Sequence, residues 1–260
     1  MDEALDDKMK SPSNQSLLLD LCYNRVKRYA ERRHKTAHKN ETNPDFLTAG
    51  VLIPIFVREG SLYTLLTLRS EHLPTHKGEV AFPGGKKEDV DVDIVATALR
   101  EAQEEVGLSP EIVQVVAVLS PLTSRARARP MYVYPVIGIV KSQFNLEINS
   151  SEVQTTFEVP LEFFLLKETQ KRDQFNFKGS TFEVHFFLYD SGACECDSQN
   201  TNSTFHIWGL TASICLCVAM VALSKLPEFD LEEHYKELMQ YITETNENDD
   251  DDELKPQSRM

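Results

Sequence analysis

The chain has no excess of basic residues and no apolar run long enough to cross a membrane. Its 27 Lys and Arg stand against 41 Asp and Glu, a formal net charge of −14. A negative field of this size disfavours nucleic acid and anionic membranes as general partners. The one stretch that resembles a span, Leu210 to Leu223, is interrupted by a threonine and a serine and falls short of the roughly 20 residues required. We therefore predict a core helix there and no membrane span.

Cysteine is scarce, and its spacing fits neither a disulfide framework nor a zinc site. The five cysteines include two close pairs with one residue between partners, which is not the usual ligand spacing for zinc. We predict free thiols in a reducing compartment. The first ten residues are acidic and lack an apolar core, so we expect no secretory signal.

Hydrophobic periodicity predicts an α+β fold in which helices flank a mixed sheet. A Gly-containing turn joins strands over Ala49–Val57 and Ser61–Arg69 into a hairpin. Further strands are predicted over Val113–Leu119, Met131–Val140, Gln174–Gly179 and Phe182–Tyr189. Helices are predicted over Ser16–His34, Ile94–Val106, the Leu210 stretch and Asp230–Ile242, with Asp230 as N-cap.

These elements suggest four segments. We expect an N-terminal helix and linker over residues 1–40, a catalytic domain over 41–226 and a C-terminal helix over 227–245. Residues 246–260 contain a run of acidic residues without apolar partners, which predicts a disordered tail.

Three glutamates lie on one face of the helix predicted over Ile94–Val106. Glu101, Glu104 and Glu105 stand at i, i+3 and i+4, a spacing at which like charges destabilise an isolated helix by about 0.2–0.5 kcal/mol per pair. Either the three carboxylates form a solvated surface, or a hard divalent cation binds between them.

The segment before this helix favours the cation. Phe82, Pro83, Gly84 and Gly85 precede an acidic loop, and paired glycines allow the backbone to approach a ligand closely. A glycine loop, an acidic loop and a carboxylate-bearing helix, in that order, suit cation-assisted chemistry on a phosphate.

Gly84 and Gly85, followed by REAQEEVGL from Arg100 to Leu108, resemble the box of the Nudix hydrolases. The resemblance implies an α/β/α sandwich with a mixed sheet and hydrolysis of a diphosphate. It also implies that Glu101, Glu104 and Glu105 bind Mg²⁺ or Mn²⁺, helped by a carbonyl of the glycine pair. Arg100 is expected to support these glutamates, and Glu104 is our candidate general base.

The segment from Leu65 to Gly85 resembles a further signature, that of the coenzyme A diphosphatase branch. Residues that fit it, and that we expect to bind the substrate phosphates, are Arg69, Ser70, Gly78, Phe82, Pro83, Gly84 and Gly85. Two departures are visible: Pro74 replaces a usual arginine, and Asp91 stands where the box has glutamate, with Arg100 one residue late. The branch implies coenzyme A (CoA), acyl-CoA and CoA disulfides as substrates, and adenosine 3′,5′-bisphosphate and (acyl-)4′-phosphopantetheine as products.

Several alternatives stay open on the sequence alone. Arg69 could pair with an acid of the hairpin instead of a phosphate. The arginines of RARARP, Arg125 to Pro130, could grip a 3′-phosphate or simply be solvated. Another nucleoside diphosphate derivative, such as NADH or ADP-ribose, would share the box, and a non-catalytic Nudix-like binding module is a further possibility.

The last three residues suggest a location. Ser258, Arg259 and Met260 resemble the Ser-Lys-Leu peroxisomal address, with a small, a basic and a large apolar residue in order. We therefore expect a peroxisomal protein whose import receptor binds this tripeptide.

Overall fold

Two sheets and four α-helices make up the part of the chain that the computed structural model describes, residues 12–36, 43–124, 129–177, 180–191 and 204–253. The helices are α1 (Pro12–Thr36), α2 (Ile94–Val106), α3 (Gly209–Leu223) and α4 (Lys236–Glu253). The strands are β1 (Leu47–Arg58), β2 (Ser61–Arg69), β3 (Val80–Ala81), β4 (Gly84–Lys86), β5 (Val113–Val118), β6 (Leu122–Ser124), β7 (Met131–Val140), β8 (Val153–Pro160), β9 (Gln170–Phe177), β10 (Ser180–Asp190) and β11 (Thr204–Trp208).

The larger sheet is mixed, as predicted. Its strand order is β3-β2-β1-β7-β5, with β8 on β2. Strand β1 runs parallel to β7 and antiparallel to both β2 and the short β4. Strands β9, β10 and β11 form a second, antiparallel sheet. The architecture confirms the α+β prediction, and it places β4, which contains the glycine pair, beside the first half of β1.

Apolar side chains cover both faces of the larger sheet. On one face α2 packs through Ala98, Ala102 and Val106 against Leu52 and Leu65. The other face is covered by α1, α3 and the second sheet, whose buried residues join those of β1 and β7 in one cluster. At Gly50 a Cβ atom would lie 2.7 Å from the Ile94 carbonyl oxygen. The absence of a side chain there therefore lets α2 approach β1 closely.

The strongly periodic segments appear where the sequence predicted them. Helix α2 has the predicted bounds, α1 contains the predicted N-terminal helix, and the hairpin is formed by β1 and β2. Short or polar strands were not predicted, namely β3, β4, β6, β8 and β11. Within the described residues, no helix is both long and apolar enough to cross a membrane.

The C-terminal region differs from the prediction in two ways. Asp230 caps no helix. The Tyr235 N–H donates to the Glu232 carbonyl, and a 3₁₀ turn over Glu233–Tyr235 precedes α4. Helix α4 then continues to Glu253, through eight residues predicted to be disordered, because its first turns are anchored by buried Leu238 and Ile242. Residues 254–260, which include Ser258, Arg259 and Met260, lie outside the described residues.

Candidate active site

Helix α2 presents its glutamates to β4 because both of its ends are fixed. At the start, an Asp93 carboxylate oxygen accepts a hydrogen bond from the Ala96 N–H (2.8 Å), which caps the helix. At the end, Gly107 adopts a left-handed conformation with φ of 72°, and its N–H returns to a carbonyl of the last turn. The turn that carries Glu101 to Glu105 therefore faces the glycine pair.

Glu105 is the most deeply buried of the three glutamates, with only 2% of its side chain exposed. One carboxylate oxygen accepts a hydrogen bond from the Gly84 N–H at 3.0 Å, and the other lies 3.4 Å from Nη1 of Arg69. Burial raises the pKa of Glu105 to about 7, and the hydrogen bond from Gly84 and the charge of Arg69 only partly oppose it. The site therefore holds a carboxylate that lacks full charge compensation.

Glu101 lies against the second glycine of the pair. A Cβ atom at Gly85 would come within 2.4 Å of the Glu101 carboxylate, so a side chain there would displace it. Burial raises the pKa of Glu101, although Arg100 is 3.1 Å away and opposes the shift. Glu101 and Glu105 thus converge on Gly84 and Gly85, and the binding of a metal ion by the three glutamates stays a prediction.

Arg100 connects the acidic loop to the helix. Its guanidinium binds both carboxylate oxygens of buried Asp91, through Nε at 2.8 Å and Nη2 at 3.0 Å, and it also donates to the Lys86 carbonyl. Asp91 further accepts hydrogen bonds from the Glu88 N–H and the Thr97 hydroxyl. The hydrogen bonds from Arg100 have the largest effect on Asp91, and together with the other two they hold its pKa well below the usual range. Asp91 therefore performs a positioning role despite its departure from the box.

Glu104 differs from the other two glutamates. Its side chain is 54% exposed and forms a 2.8 Å ion pair with Nη1 of Arg100, one helical turn away. Among the described residues, no three acidic, histidine or cysteine side chains are already grouped closely enough to form a metal site. The site therefore contains two glutamates at the glycine pair, with the third held by Arg100.

The other predicted phosphate-binding residues surround the site in different environments. Arg69 is largely buried, and within the described structure its Nε has no hydrogen-bond partner. Buried Ser70 donates its N–H to the Glu152 carbonyl. Gly78 has a φ of 66°, and a Cβ there would meet the Glu71 carboxylate. Phe82 is a core residue.

Pro83 fixes the position of the glycine pair. Its carbonyl accepts a hydrogen bond from the Leu52 N–H of β1 at 2.8 Å. At Gly84, φ is 156°, and a Cβ would lie 2.4 Å from the Gly50 carbonyl oxygen. The neighbouring Phe82 and Pro83 thus hold the loop in place. Binding of phosphate by Gly84 and Gly85 stays a prediction.

Sequence reasoning missed a fourth carboxylate, Glu152. Its charge contributes to raising the pKa of both Glu101 and Glu105, which places it close to the same site. Asn149 orients it, since the Asn149 amide donates to the Glu152 carboxylate at 3.1 Å and the Asn149 N–H donates to the Glu105 carbonyl. No motif marks Glu152, because its place depends on contacts between distant parts of the chain: the Asn149 N–H bonds to α2, and β8, which follows Glu152, pairs with β2.

The burial of Glu105 predicts a pH dependence of the metal-free protein. Between its unfolded value of 4.5 and its folded value of about 7, the folded state keeps a proton that the unfolded state has released. The free energy of unfolding should therefore fall as pH rises through this window, by up to about 3 kcal/mol. Urea unfolding in excess chelator at pH 5 to 8 measures the slope.

Glu105→Gln removes this titration and should unfold with a correspondingly flatter dependence on pH. Glu104→Gln, at an exposed position, should keep the slope of the unmodified protein. Parallel pH profiles for the unmodified protein and Glu105→Gln would contradict the assigned environment.

The family sequence model named NUDIX domain matches residues 47–180 of this chain. The peroxisomal coenzyme A diphosphatase NUDT7 of Mus musculus is 39% identical over 182 residues, which cover 70% of this chain and 73% of the mouse protein. The chloroplastic Nudix hydrolase 22 of Arabidopsis thaliana is 42% identical over 184 residues, again 70% of this chain but only 57% of the plant protein.

A solved structure, the Ap4A hydrolase of C. elegans in a binary complex, is 22% identical and covers 45% of this chain and 81% of its own, with a TM-score of 0.40. The assignment of a family therefore rests on the sequence matches. The domain match extends over half of the chain, and the mouse relative is similar over most of both proteins. Together they show that this protein belongs to the Nudix hydrolase family, whose members act on diphosphates.

Proposed function

We propose that this protein hydrolyses the diphosphate of coenzyme A and of CoA derivatives in a reaction that depends on Mg²⁺ or Mn²⁺. The products would be adenosine 3′,5′-bisphosphate and 4′-phosphopantetheine or its acyl form. The observation that carries the proposal is the convergence of partly buried Glu101 and buried Glu105 on Gly84 and Gly85, with Arg69 beside them. The coenzyme A signature and the similarity to the mouse enzyme support the choice of substrate.

The donor set fits a hard divalent cation. Carboxylate and carbonyl oxygens are the ligands such ions prefer, and a cation beside Glu105 would supply the charge compensation that this carboxylate lacks. We assign Glu101 and Glu105 as ligands, with a carbonyl of the glycine pair, and Glu104 once it leaves Arg100. A bound cation supplies Lewis acidity toward the phosphate oxygens and lowers the pKa of bound water.

The remaining residues bind the substrate and maintain the geometry. Arg69 has a buried guanidinium with an unused Nε, which suits a phosphate oxygen. Arg100 holds the acidic loop on α2 through Asp91, so that the glycine pair and the helix move as one unit. Contact of the arginine-rich segment with a 3′-phosphate stays a prediction, because residues 125–128 lie outside the described residues and Arg129 donates to the Asp45 carbonyl.

Two carboxylates are candidates for the general base. Glu104, the candidate from the sequence, is half exposed and paired with Arg100. Glu152 lies close to Glu101 and Glu105 and is oriented by Asn149. Because Glu104 is exposed and paired with Arg100, we assign Glu152 as the acceptor of a proton from an attacking water.

Incubation with CoA and Mg²⁺ or Mn²⁺ should yield the two predicted products, identified by mass, and excess chelator should abolish their formation. Glu105→Gln should lower kcat by at least about 10²-fold, because a buried ligand loses its charge. NADH and ADP-ribose, assayed side by side, should be poorer substrates. A preference for either would favour the other pyrophosphatase function, and no turnover of any substrate would favour a binding module.

Glu152→Gln and Glu104→Gln distinguish the two bases. Loss of the base should lower kcat by about 10²–10⁴-fold and remove the acidic limb of the pH–rate profile. We expect Glu152→Gln to show both changes. Glu104→Gln should lower kcat less and should keep the acidic limb of the pH–rate profile. The reverse pattern would restore Glu104 as the base.

We also propose a peroxisomal location, mediated by an import receptor that binds Ser258, Arg259 and Met260. The mouse relative is named as peroxisomal, whereas two plant relatives are named as chloroplastic and mitochondrial. A fluorescent protein fused to the N-terminus of this chain should enter peroxisomes, and removal of the last three residues should leave it in the cytosol. Unchanged import after this removal would refute the tripeptide's role.

A further inference from the structure

The loop that joins β2 to β3 brings a histidine and a glutamate together next to Arg69. Nδ1 of His76 lies 2.6 Å from a carboxylate oxygen of Glu79. The Glu79 N–H donates to the His76 carbonyl, and Gly78 between them is left-handed, with a φ of 66°. Because a carboxylate only accepts hydrogen bonds, the contact requires the imidazole proton on Nδ1. A tight turn thus joins the imidazole to the Glu79 carboxylate.

The backbone of His76 is strained. Its φ is 55°, in the left-handed region that residues other than glycine seldom adopt. Such strain persists where the surrounding structure imposes it, and it is concentrated at functional sites. The side chains of His76 and Glu79 are 28% and 38% exposed, and an ion pair at this exposure contributes little to stability. Stabilisation of the loop therefore does not account for the strained contact.

Glu79 is the cross-strand neighbour of Arg69. Strands β2 and β3 pair Leu68 with Val80, and the Arg69 N–H continues the ladder by donating to the Glu79 carbonyl at 3.0 Å. Opposite residues of an antiparallel pair project from the same face with Cβ atoms about 5 Å apart, and opposite charges at such positions attract each other. The sheet therefore favours an ion pair of Arg69 with Glu79.

That ion pair does not form. Among the residues that the structure describes, Arg69 contacts the Glu105 carboxylate through Nη1 at 3.4 Å, and no salt bridge joins it to Glu79. The Nε atom of Arg69 is buried and has no hydrogen-bond partner in the same part of the chain. A buried donor without a partner is rare and points to an acceptor supplied by a ligand.

We propose that His76 is a positioning residue for the substrate diphosphate, because it holds the Glu79 carboxylate away from Arg69 and so leaves the guanidinium available to a phosphate oxygen. Without the imidazole, Glu79 turns to Arg69, neutralises its charge and competes with the phosphate. This inference rests on the proposed function, in which Arg69 binds the diphosphate.

Two substitutions of His76 provide a matched pair. Glycine and asparagine both tolerate the left-handed region, so neither should disturb the fold. Only asparagine keeps a donor, since its amide nitrogen is bonded to Cγ as Nδ1 is. In CoA hydrolysis with Mg²⁺, His76→Gly should raise KM about five- to tenfold with kcat unchanged, because the phosphate loses part of a charge-assisted hydrogen bond. His76→Asn should keep the KM of the unmodified protein.

Two results would contradict this expectation. An equal rise of KM in His76→Gly and His76→Asn would show that the donor at the Nδ1 position has no role. An unchanged KM in His76→Gly, whether or not kcat falls, would show that the imidazole does not govern binding of the diphosphate. Either result overturns the proposal.

Removal of the competing charge should rescue His76→Gly. Addition of Glu79→Gln to this variant should return KM to near that of the unmodified protein. Glu71→Gln, which removes a charge at an exposed position of the same loop, should give no rescue. If His76 touched the phosphate directly, Glu79→Gln would give no rescue either, and the proposal would fail. Equal rescue by both substitutions would indicate a general effect of loop charge and would also refute it.

Binding of inorganic pyrophosphate separates this inference from the proposed function. In calorimetric titrations with Mg²⁺ present, His76→Gly should raise the Kd of pyrophosphate about five- to tenfold. In an Arg69→Ala background the same substitution should have no further effect, because its action passes through Arg69. A further loss in that background, or no binding of pyrophosphate to the unmodified protein, would overturn the inference.

The two failures are distinguishable. Absence of CoA hydrolysis by the unmodified protein would refute the proposed function, while the expected pattern with pyrophosphate would still support the role of His76. Hydrolysis of CoA with equal KM for the unmodified protein and His76→Gly would refute the role of His76 alone.

Discussion

The burial of a negative charge at Glu105 is the constraint on which the rest of the site depends. A carboxylate with 2% of its side chain exposed is unfavourable unless hydrogen bonds and positive charge compensate it. The Gly84 N–H and Arg69 supply part of this compensation, and the raised pKa shows that it is incomplete. The fold therefore keeps a recess lined by carboxylates, which suits the cation site proposed above, and this recess requires glycine at Gly84, because a side chain there would collide with β1.

The second constraint is the rigidity of the loop that carries the glycine pair. Arg100 binds Asp91 through a two-pronged contact, and Asp91 in turn receives hydrogen bonds from the loop backbone and from Thr97 of α2. Loop and helix thereby behave as one body. The one-residue displacement of Arg100 from the usual spacing is accommodated because Asp91, although shorter than glutamate, reaches the guanidinium directly.

The sequence predicted those parts of the structure that local patterns determine. Periodicity located α2 and the β1–β2 hairpin, and the helical spacing of Glu101 and Glu105 brought both carboxylates to the glycine pair. It could not find Glu152, whose place depends on pairing between strands far apart in the chain. The sequence also predicted support of the glutamates by Arg100, and the ion pair of Arg100 with Glu104 stands at the i, i+4 spacing at which opposite charges meet on a helix.

The contacts between the first and last described helices have a consequence for synthesis of the chain. Arg32 and Arg33 of α1 pair with Glu244 and Glu237 of α4, and the Arg25 guanidinium donates to the Ala222 carbonyl at the end of α3. These partners lie about 200 positions apart, so α1 emerges from the ribosome long before the helices that bury Cys22 and Val26. During translation the part of its apolar stripe that packs on α3 stays uncovered until that helix emerges, even though β1, β2 and β5, which it also contacts, are made earlier.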